Sequence, residues 1–335
     1  MTRKAVGITV LFAVFAALGC FFAMTPALAA AKYTMKYAAS GSDAHPATIA
    51  VNDLVKFVAE RSNGEMEIKV FRNGQLGGDR QVAEGMQIGT IELGAISSSI
   101  ITTFEPKMGI FDFPFLFKTQ EAAYRAMDGE VGQIITDSLA KKGLRIIGFA
   151  INGYRHVTNN KLPIYKPDDL KGIKIRTQEN PIFLDAFKAF GASPTPMSFG
   201  ELYTALQQKT VDAQENPISL IYSSKLYEVQ DYISLTGHVY AVIPLIISEP
   251  YFKKLPPEYQ EIMLEAGKFY ADRERALVME KEAEFIEKMR EAGVKINELT
   301  PEQKDEFIKR TAGVYEKFEK TVGKELLEKA IATND

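Results

Sequence analysis

Hydrophobic and polar positions along the first half of the chain predict strands and helices in turn. Short apolar runs suited to strands alternate with segments whose apolar residues recur at helical spacing, such as Val51, Leu54 and Val58. The predicted strands are 33–40, 65–71, 91–97 and 145–151, and the predicted helices include 79–88 and 119–140. This alternation is typical of an α/β fold with a mainly parallel sheet. In such sheets the ligand crevice lies beyond the carboxyl ends of the strands.

The second half repeats the α/β pattern and then ends in helices. YRHVTN, IKIRT and SPTPMS are strand-like, and helical segments follow the last two. The β-rich apolar run 232–248 is long enough to pass from one lobe back to another, and residues 257 to about 292 predict one long helix. Thr300 opens a capping box with Gln303. Two α/β lobes joined by more than one crossing, without a linker-like tract, predict a two-lobed fold with a ligand cleft between the lobes.

The N-terminus has the pattern of a secretory signal peptide. Arg3 and Lys4 precede an almost wholly apolar run over 5–24, and residues 27–29 (ALA) offer a cleavage pattern of small residues. We therefore predict that residues 1–31 are a cleaved signal peptide and that the mature chain is periplasmic. The alternative is a retained membrane anchor, because the apolar run approaches spanning length.

The single cysteine, Cys20, lies inside that run, so the mature chain should contain no disulfide and no thiolate ligand. AALGC weakly resembles a lipoprotein processing site, but Ala17 precedes the cysteine by three residues and two Phe follow it, so lipidation is not expected. Of the 335 residues, 46% are hydrophobic and 25% are charged, as in ordinary globular proteins. Loss of Arg3 and Lys4 takes the formal net charge from −3 to −5, and no basic block supports nucleic-acid binding.

The sequence lacks the common motifs of enzymatic chemistry. His45, His156 and His238 lack metal-ligand spacing, and GQLGGD (74–79) lacks the dinucleotide and P-loop patterns. No GxSxG occurs, and the serines at 97–99 have no base marked nearby in the sequence. We therefore predict a protein with no catalytic residues, no metal and no cofactor.

The pentapeptide QENPI occurs twice, at 178–182 and at 214–218, with flanks that do not match. Each copy predicts a short strand, then Asn as a helix N-cap, then Pro at the first helical position. Such corners direct backbone N–H groups at whatever lies beyond the strand end. The sequence therefore predicts two anion-favouring corners rather than an internal repeat.

Two arginines precede these corners. Arg176 shares one face of the IKIRT strand with Lys174, and Arg155 begins the preceding strand. Either could be a solvated strand residue or half of a structural ion pair. Their position ahead of the corners favours a binding role, because a guanidinium matches a carboxylate in a bidentate manner.

Several stretches of the chain resemble a known family. NGYRHVTNNKLPI (152–164), DDLKGIKIRTQENP (168–181), FGASPTPMSFGELYTALQQ (190–208) and VDAQENP (211–217) resemble the DctP-type solute-binding proteins of TRAP (tripartite ATP-independent periplasmic) transporters, as do QLGGDR and FDFPFLF. The similarity covers essentially the whole mature chain. It implies two α/β lobes that close over an organic acid, with a long helix packed across both.

The resemblance also implies site residues in the second lobe. Arg176 would pair with the ligand carboxylate, Arg155 would support that pair, and Asn216 of the second QENPI copy would reach the same carboxylate. Phe199 would pack on the ligand, although aromatic residues before amphipathic helices often belong to the core. By the same analogy Asn180 of the first copy would be only a helix cap.

The first lobe is expected to contribute His45 and Ser97, although His45 could equally be a helix-start residue and Ser97 could simply end a strand. The chain departs from the family pattern at Lys209 and Ala213, where glycine is usual. If either position needs a positive φ, the turn before Asn216 must differ slightly.

The resulting prediction is a monomeric periplasmic receptor that captures a small organic acid and delivers it to the membrane subunits of a TRAP transporter. Lobe I is expected to comprise 32–152 plus 241–281, and lobe II 153–240 plus 282–335. Sugar acids and C4-dicarboxylates both remain open as ligands, with His45 and Ser97 leaning towards a hydroxylated acid. The alternatives are a ligand-binding input to a periplasmic sensor and an exported lyase or hydrolase.

Overall fold

The computed structural model describes residues 31–335, so Cys20 and all of the predicted signal peptide except its last residue lie outside the described residues. Its strands are β1 Tyr33–Ala38, β2 Met66–Phe71, β3 Leu93–Ala95, β4 Leu144–Asn159, β5 Lys174–Thr177, β6 Ser193–Pro196, β7 Ala213–Pro217, β8 Tyr232–Leu235, β9 Tyr240–Ser248 and β10 Lys295–Glu298.

The helices in the same range are α1 Pro46–Arg61, α2 Asp79–Gln87, α3 Ser98–Ile101, α4 Gln120–Asp128, α5 Glu130–Ala140, α6 Pro181–Ala189, α7 Phe199–Gln207, α8 Ile218–Ser223, α9 Glu249–Phe252, α10 Pro257–Glu291, α11 Pro301–Arg310, α12 Ala312–Val322 and α13 Lys324–Ala332. Three short 3₁₀ helices span Pro106–Asp112, Pro167–Leu170 and Leu226–Val229.

The strands form two parallel groups that are joined by antiparallel strands. The main path of the sheet runs β2-β1-β3-β9-β4-β7-β5-β6, and β8 pairs with β4 and β10. β1 is parallel to β2 and β3 in the first lobe, and β5 is parallel to β6 and β7 in the second. The predicted parallel sheet is thus present within each lobe. The connection differs, because β4 and β9 run antiparallel to each other and to their outer neighbours.

Strand β4 carries the chain from one lobe to the other. It is 16 residues long, and its register with β9 shifts between Ile146 and Gly148 and again between Ile151 and Gly153. Helix α10 lies against this strand so closely that a Cβ atom on Gly148 would stand 2.2 Å from the Gly267 carbonyl oxygen. Glycine at both positions therefore allows the helix and the crossing strand to meet.

The predicted long helix is confirmed as α10, which has 35 residues. It packs against α1 in the first lobe, against β4, and against α8 in the second lobe. The helix predicted over 119–140 is instead two helices, because Gly129 adopts an extended conformation in which a Cβ would lie 2.5 Å from the Arg125 carbonyl oxygen.

The chain ends in three helices that follow the predicted capping box. Thr300 accepts a hydrogen bond from the Gln303 backbone, and the Gln303 side chain accepts one from the Thr300 backbone, as predicted. Helix α12 packs against α6, whereas α13 packs against α5 of the first lobe. The proposed lobe boundaries stay a prediction. Within residues 31–335 no helix has the length and apolarity needed to cross a membrane.

Candidate functional site

A cavity of about 50 Å³ lies between the lobes at the carboxyl ends of the parallel strands. Its lining includes Ser40 and His45 from the loop after β1 and Ser97 from the loop after β3. Gln178 follows β5, and Phe199 begins α7 after β6. The site thus lies where strand ends of both lobes converge, as expected for an α/β sheet. Three of the six predicted site residues, His45, Ser97 and Phe199, line this cavity.

His45 and Ser97 are held by local structure in the first lobe. His45 is the N-cap of α1, and its Nδ1 accepts a hydrogen bond of 3.3 Å from the Ala47 backbone. Burial lowers the pKa of His45 to about 4, so the ring is neutral at neutral pH. The Asn152 side chain lies near the ring but makes no hydrogen bond of acceptable geometry with it. Ser97 donates a hydrogen bond of 3.0 Å to Gln178 Oε1 across the cleft.

Arg176 is 1% exposed at the end of β5 and lies beside the cavity rather than in its wall. Its Nε and Nη2 donate hydrogen bonds of 2.9 and 2.6 Å to the carbonyl of Met197, two residues before Phe199. Its Nη1 is buried and lacks a hydrogen-bond partner among residues 31–335. Burial lowers the pKa of Arg176 to about 10, which still leaves the guanidinium charged at neutral pH.

Arg155 is committed to a buried ion pair. Its Nε lies 2.5 Å from Glu215 Oε2 and its Nη2 lies 2.8 Å from Glu215 Oε1, and both side chains are at most 2% exposed. Burial would raise the pKa of the Glu215 carboxyl, but Arg155 and a 3.1 Å contact from His238 Nε2 hold it below its usual value. The charge of Arg155 is therefore balanced inside the protein.

The Arg155–Glu215 ion pair also determines the environment of Asn216. Arg155 Nη2 donates to Asn216 Oδ1 at 3.1 Å, and Asn216 Nδ2 donates to Gln214 Oε1 at 2.5 Å. Asn216 is fully buried within β7 and is not among the residues that line the cavity. Asn216 and Arg155 lie together next to Arg176, whose strand β5 pairs with β7 at Gln214. Their contact with a ligand stays a prediction.

The two QENPI copies differ, which corrects one expectation. In the first copy Asn180 caps α6 by accepting from the backbones of Ile182 at 2.8 Å and Phe183 at 3.3 Å, as predicted. In the second copy α8 begins only at Ile218 and has no side-chain cap. The prediction that Asn216 caps a helix is wrong, because its side chain is held by Arg155 and Gln214 instead.

Several polar contacts join the lobes around the cavity. Asn180 Nδ2 donates to the Ser99 carbonyl at 3.0 Å and to Asp112 Oδ2 at 2.8 Å. Ser42 donates to the Ser223 carbonyl at 2.9 Å on another side of the cleft. Together with the Ser97–Gln178 bond, these contacts connect residues of the two predicted lobes around the cavity.

Some buried polar atoms around the cavity remain unpaired in the described part of the chain. They are Nε2 of His45, Oγ1 of Thr48 and Oδ1 of Asn152, all from residues in the cavity wall. Native proteins pair most of their buried polar atoms, so a cluster of unpaired ones requires an explanation. A polar molecule in the cavity would supply the partners.

Several residues that were not predicted as site residues also line the cavity, among them Tyr37, Asp79, Asn152 and Gln178. Gln178 could have been identified from the sequence, because it directly follows a strand whose carboxyl end is expected to face the ligand crevice. Asp79 lies in the GQLGGD segment, which lacks the phosphate-binding patterns and overlaps the QLGGDR stretch of the family resemblance. Among residues 31–335 no group of three or more His, Cys, Asp or Glu side chains could hold a metal ion.

The fold and this interlobe cavity define a two-lobed periplasmic binding protein, and comparison with known proteins agrees. The structure superimposes on the sugar acid binding protein DctPAm from Advenella mimigardefordensis, solved with galactonate, with a TM-score of 0.88 and 33% identity over 91% of this chain and 99% of that one. A TRAP periplasmic solute-binding protein from Sulfurospirillum deleyianum, solved with succinate, gives a TM-score of 0.86 and 36% identity over 90% and 99%.

The sequence comparisons identify the family. The model of the DctP family, "Bacterial extracellular solute-binding protein, family 7", matches residues 37–321. The chain is also 39% identical over 273 residues to the 2,3-diketo-L-gulonate-binding periplasmic protein YiaO of Escherichia coli, covering 81% of this chain and 82% of that protein. The chain therefore belongs to the DctP family of solute-binding proteins, as the sequence resemblance implied. This family consists of transport receptors, so the lyase or hydrolase alternative is set aside.

Proposed function

We propose that this chain captures a small organic acid in the interlobe cavity through Arg176 and delivers it to the membrane subunits of a TRAP transporter. The observation that carries the proposal is the Arg176 guanidinium, which is buried, charged and unpaired at Nη1 among the described residues, next to the cavity. A charged donor buried without a carboxylate partner is costly. A ligand carboxylate would supply the missing partner in a geometry that suits a guanidinium.

Closure of the lobes is the means of capture in this proposal. Contacts such as Ser97–Gln178 and Asn180–Ser99 join residues of the two predicted lobes, and we propose that separation of the lobes breaks the Ser97–Gln178 contact. A ligand that touches both lobes would therefore stabilise the closed state by its differential affinity. In this proposal the ligand enters while the lobes are further apart, because the cavity of about 50 Å³ is small for an organic acid.

The relatives support an acid as the ligand. Galactonate, succinate and 2,3-diketo-L-gulonate, named for three similar proteins, all carry a carboxylate. Their shared feature matches the role assigned to Arg176. We infer that this chain binds an organic acid of the sugar acid or C4-dicarboxylate type.

Calorimetric titration of mature protein with a panel of organic acids tests the site. Arg176→Ala should bind the best acid at least about 30-fold more weakly, because loss of one partner of a buried pair costs about 2–5 kcal/mol. Arg176→Lys should retain only part of the affinity, since a lysine cannot make the bidentate contact. Arg273→Ala is the control, because Arg273 pairs with Asp53 on the surface. Unchanged affinity in Arg176→Ala would refute the site.

Delivery and export need tests in cells. Deleting the gene should abolish uptake of the acid, and only variants that bind it should restore uptake. Persisting uptake would favour the sensor alternative. N-terminal sequencing of the exported protein should find a start near Lys32 if residues 1–31 are a cleaved signal peptide.

A further inference from the structure

The cavity wall contains a carboxylate that the proposed function does not use. Asp79 begins α2, and its Oδ1 accepts a hydrogen bond from Ser40 while its Oδ2 lies 3.5 Å from the backbone nitrogen of Ser97. An ionised carboxylate has about four acceptor positions. Only one of those two contacts is strong, so Asp79 can still accept hydrogen bonds from a molecule in the cavity that it lines.

Few charged side chains lie in or next to the cavity, and the acidic one occupies a different position from the basic one. Asp79 is the acidic residue of the lining, which includes no lysine or arginine from the described range. The neighbouring cation is Arg176, which is close enough to act on the Asp79 carboxyl electrostatically. Burial raises the pKa of Asp79, and Ser40 and Arg176 oppose that rise. Arg155 adds no free charge because Glu215 balances it.

This arrangement distinguishes between the two ligand types left open. One carboxylate can pair with Arg176, but a second carboxylate in the same cavity would meet Asp79 with no further cation in the described cavity lining, since Arg80 pairs with Glu179 outside it. Like charges placed together in a buried site strongly disfavour binding. Hydroxyl groups, by contrast, can donate to the free acceptor positions of Asp79.

We propose that Asp79 is a specificity-determining residue that selects hydroxylated monocarboxylates of the sugar acid class and rejects dicarboxylates. The inference rests on the proposed function, since it needs Arg176 to hold the first carboxylate. A purely structural role is the competing explanation, because an acid in the first turn also stabilises a helix. The two differ in their effect on ligand preference.

The test is calorimetric titration of the mature protein and its variants with galactonate and with succinate. The wild type should prefer galactonate by about tenfold or more, an order set by one unpaired charge. Asp79→Asn keeps the shape and removes the charge, so it should weaken galactonate and strengthen succinate, shifting the ratio by about tenfold. Glu179→Gln is the matched control, because Glu179 also acts on Arg176 but pairs with Arg80 and does not line the cavity.

The outcomes separate the two proposals. If wild type binds acids and Asp79→Asn leaves the galactonate to succinate ratio within about twofold of wild type, Asp79 is only structural and the inference fails. A wild type that prefers succinate overturns it too, while leaving the proposed function intact. If wild type binds no acid at all, both proposals fall. Should Asp79→Asn not fold, Asp79→Ser keeps an oxygen at the helix start and provides the same comparison.

Discussion

The two QENPI copies have the same five residues but occupy different structures. In the first, Gln178 lines the cavity and Asn180 caps a helix while reaching across to Ser99 in the other lobe. In the second, Gln214 and Asn216 lie in the buried strand β7, where Gln214 donates to Thr158 and Asn216 is held by Arg155 of the neighbouring strand β4. Identical local sequence therefore acquires its role from tertiary partners.

The glutamates of the two copies show this dependence on tertiary partners most clearly. Substitutions at them should have the largest expected effect on the free energy of unfolding. Glu215 is fully buried in its pair with Arg155, whereas Glu179 is 41% exposed and 3.6 Å from Arg80. Glu215→Gln should lower the free energy of unfolding by about 3–5 kcal/mol, because it leaves a buried charge uncompensated. Glu179→Gln should change it by less than about 1 kcal/mol. Urea denaturation of both variants measures the difference.

The double variant Arg155→Met, Glu215→Leu is the control, and it should recover much of the stability lost in Glu215→Gln. Equal losses at Glu179 and Glu215 would contradict the comparison. The pKa of Glu215 is lowered on folding, so its contribution is present above the unfolded pKa and is lost as the pH falls through the folded pKa. Glu215→Gln should accordingly weaken the acid dependence of unfolding.

The asparagines of the two copies should respond differently to the same change: stability should fall more at Asn180, and ligand affinity should fall more at Asn216. Asn180→Ala removes a helix cap and a hydrogen bond to buried Asp112, so we expect a loss of stability of about 2 kcal/mol. Asn216→Ala removes the hydrogen bonds with Arg155 and with Gln214 and should cost about 1–2 kcal/mol. Ligand affinity should fall more in Asn216→Ala if it reaches the carboxylate. Urea denaturation measures the loss of stability, and calorimetry on the same samples measures ligand affinity. A larger loss of stability in Asn216→Ala than in Asn180→Ala would contradict the assignment of the structural role to Asn180.

The sequence pattern was sufficient for the features that depend on local periodicity. Strands and helices of both lobes, the α10 helix and the capping box at Thr300 follow from spacing and capping residues. Arg176 was also identified from sequence, because it precedes a corner at the end of a strand. It is buried beside the cavity, and its contact with a ligand stays a prediction.

Features that depend on residues distant in the chain could not be predicted from the local sequence pattern. Whether Asn216 caps a helix is decided by Arg155, which lies 61 residues away in the chain. Asp79 looks like an ordinary acid at a helix start until the fold places it beside Ser40 and Ser97. The break at Gly129 is a local feature instead, because Gly129 adopts an extended conformation between α4 and α5 although the surrounding pattern continues as a helix.

The smallest expected effects on stability concern the turn that leads into the second QENPI copy. The family resemblance implies glycine at positions 209 and 213 of this turn. Lys209 has a φ of +58°, which disfavours residues with a Cβ, whereas Ala213 lies fully buried in β7 without a positive φ. Lys209→Gly should therefore raise the free energy of unfolding by about 0.5–1 kcal/mol. Ala213→Gly should lower it by about 1 kcal/mol, since glycine costs entropy in a strand and a buried methyl is lost. Thermal denaturation of the two variants should give shifts of opposite sign, and shifts of the same sign would show that the backbone at these positions does not determine the response.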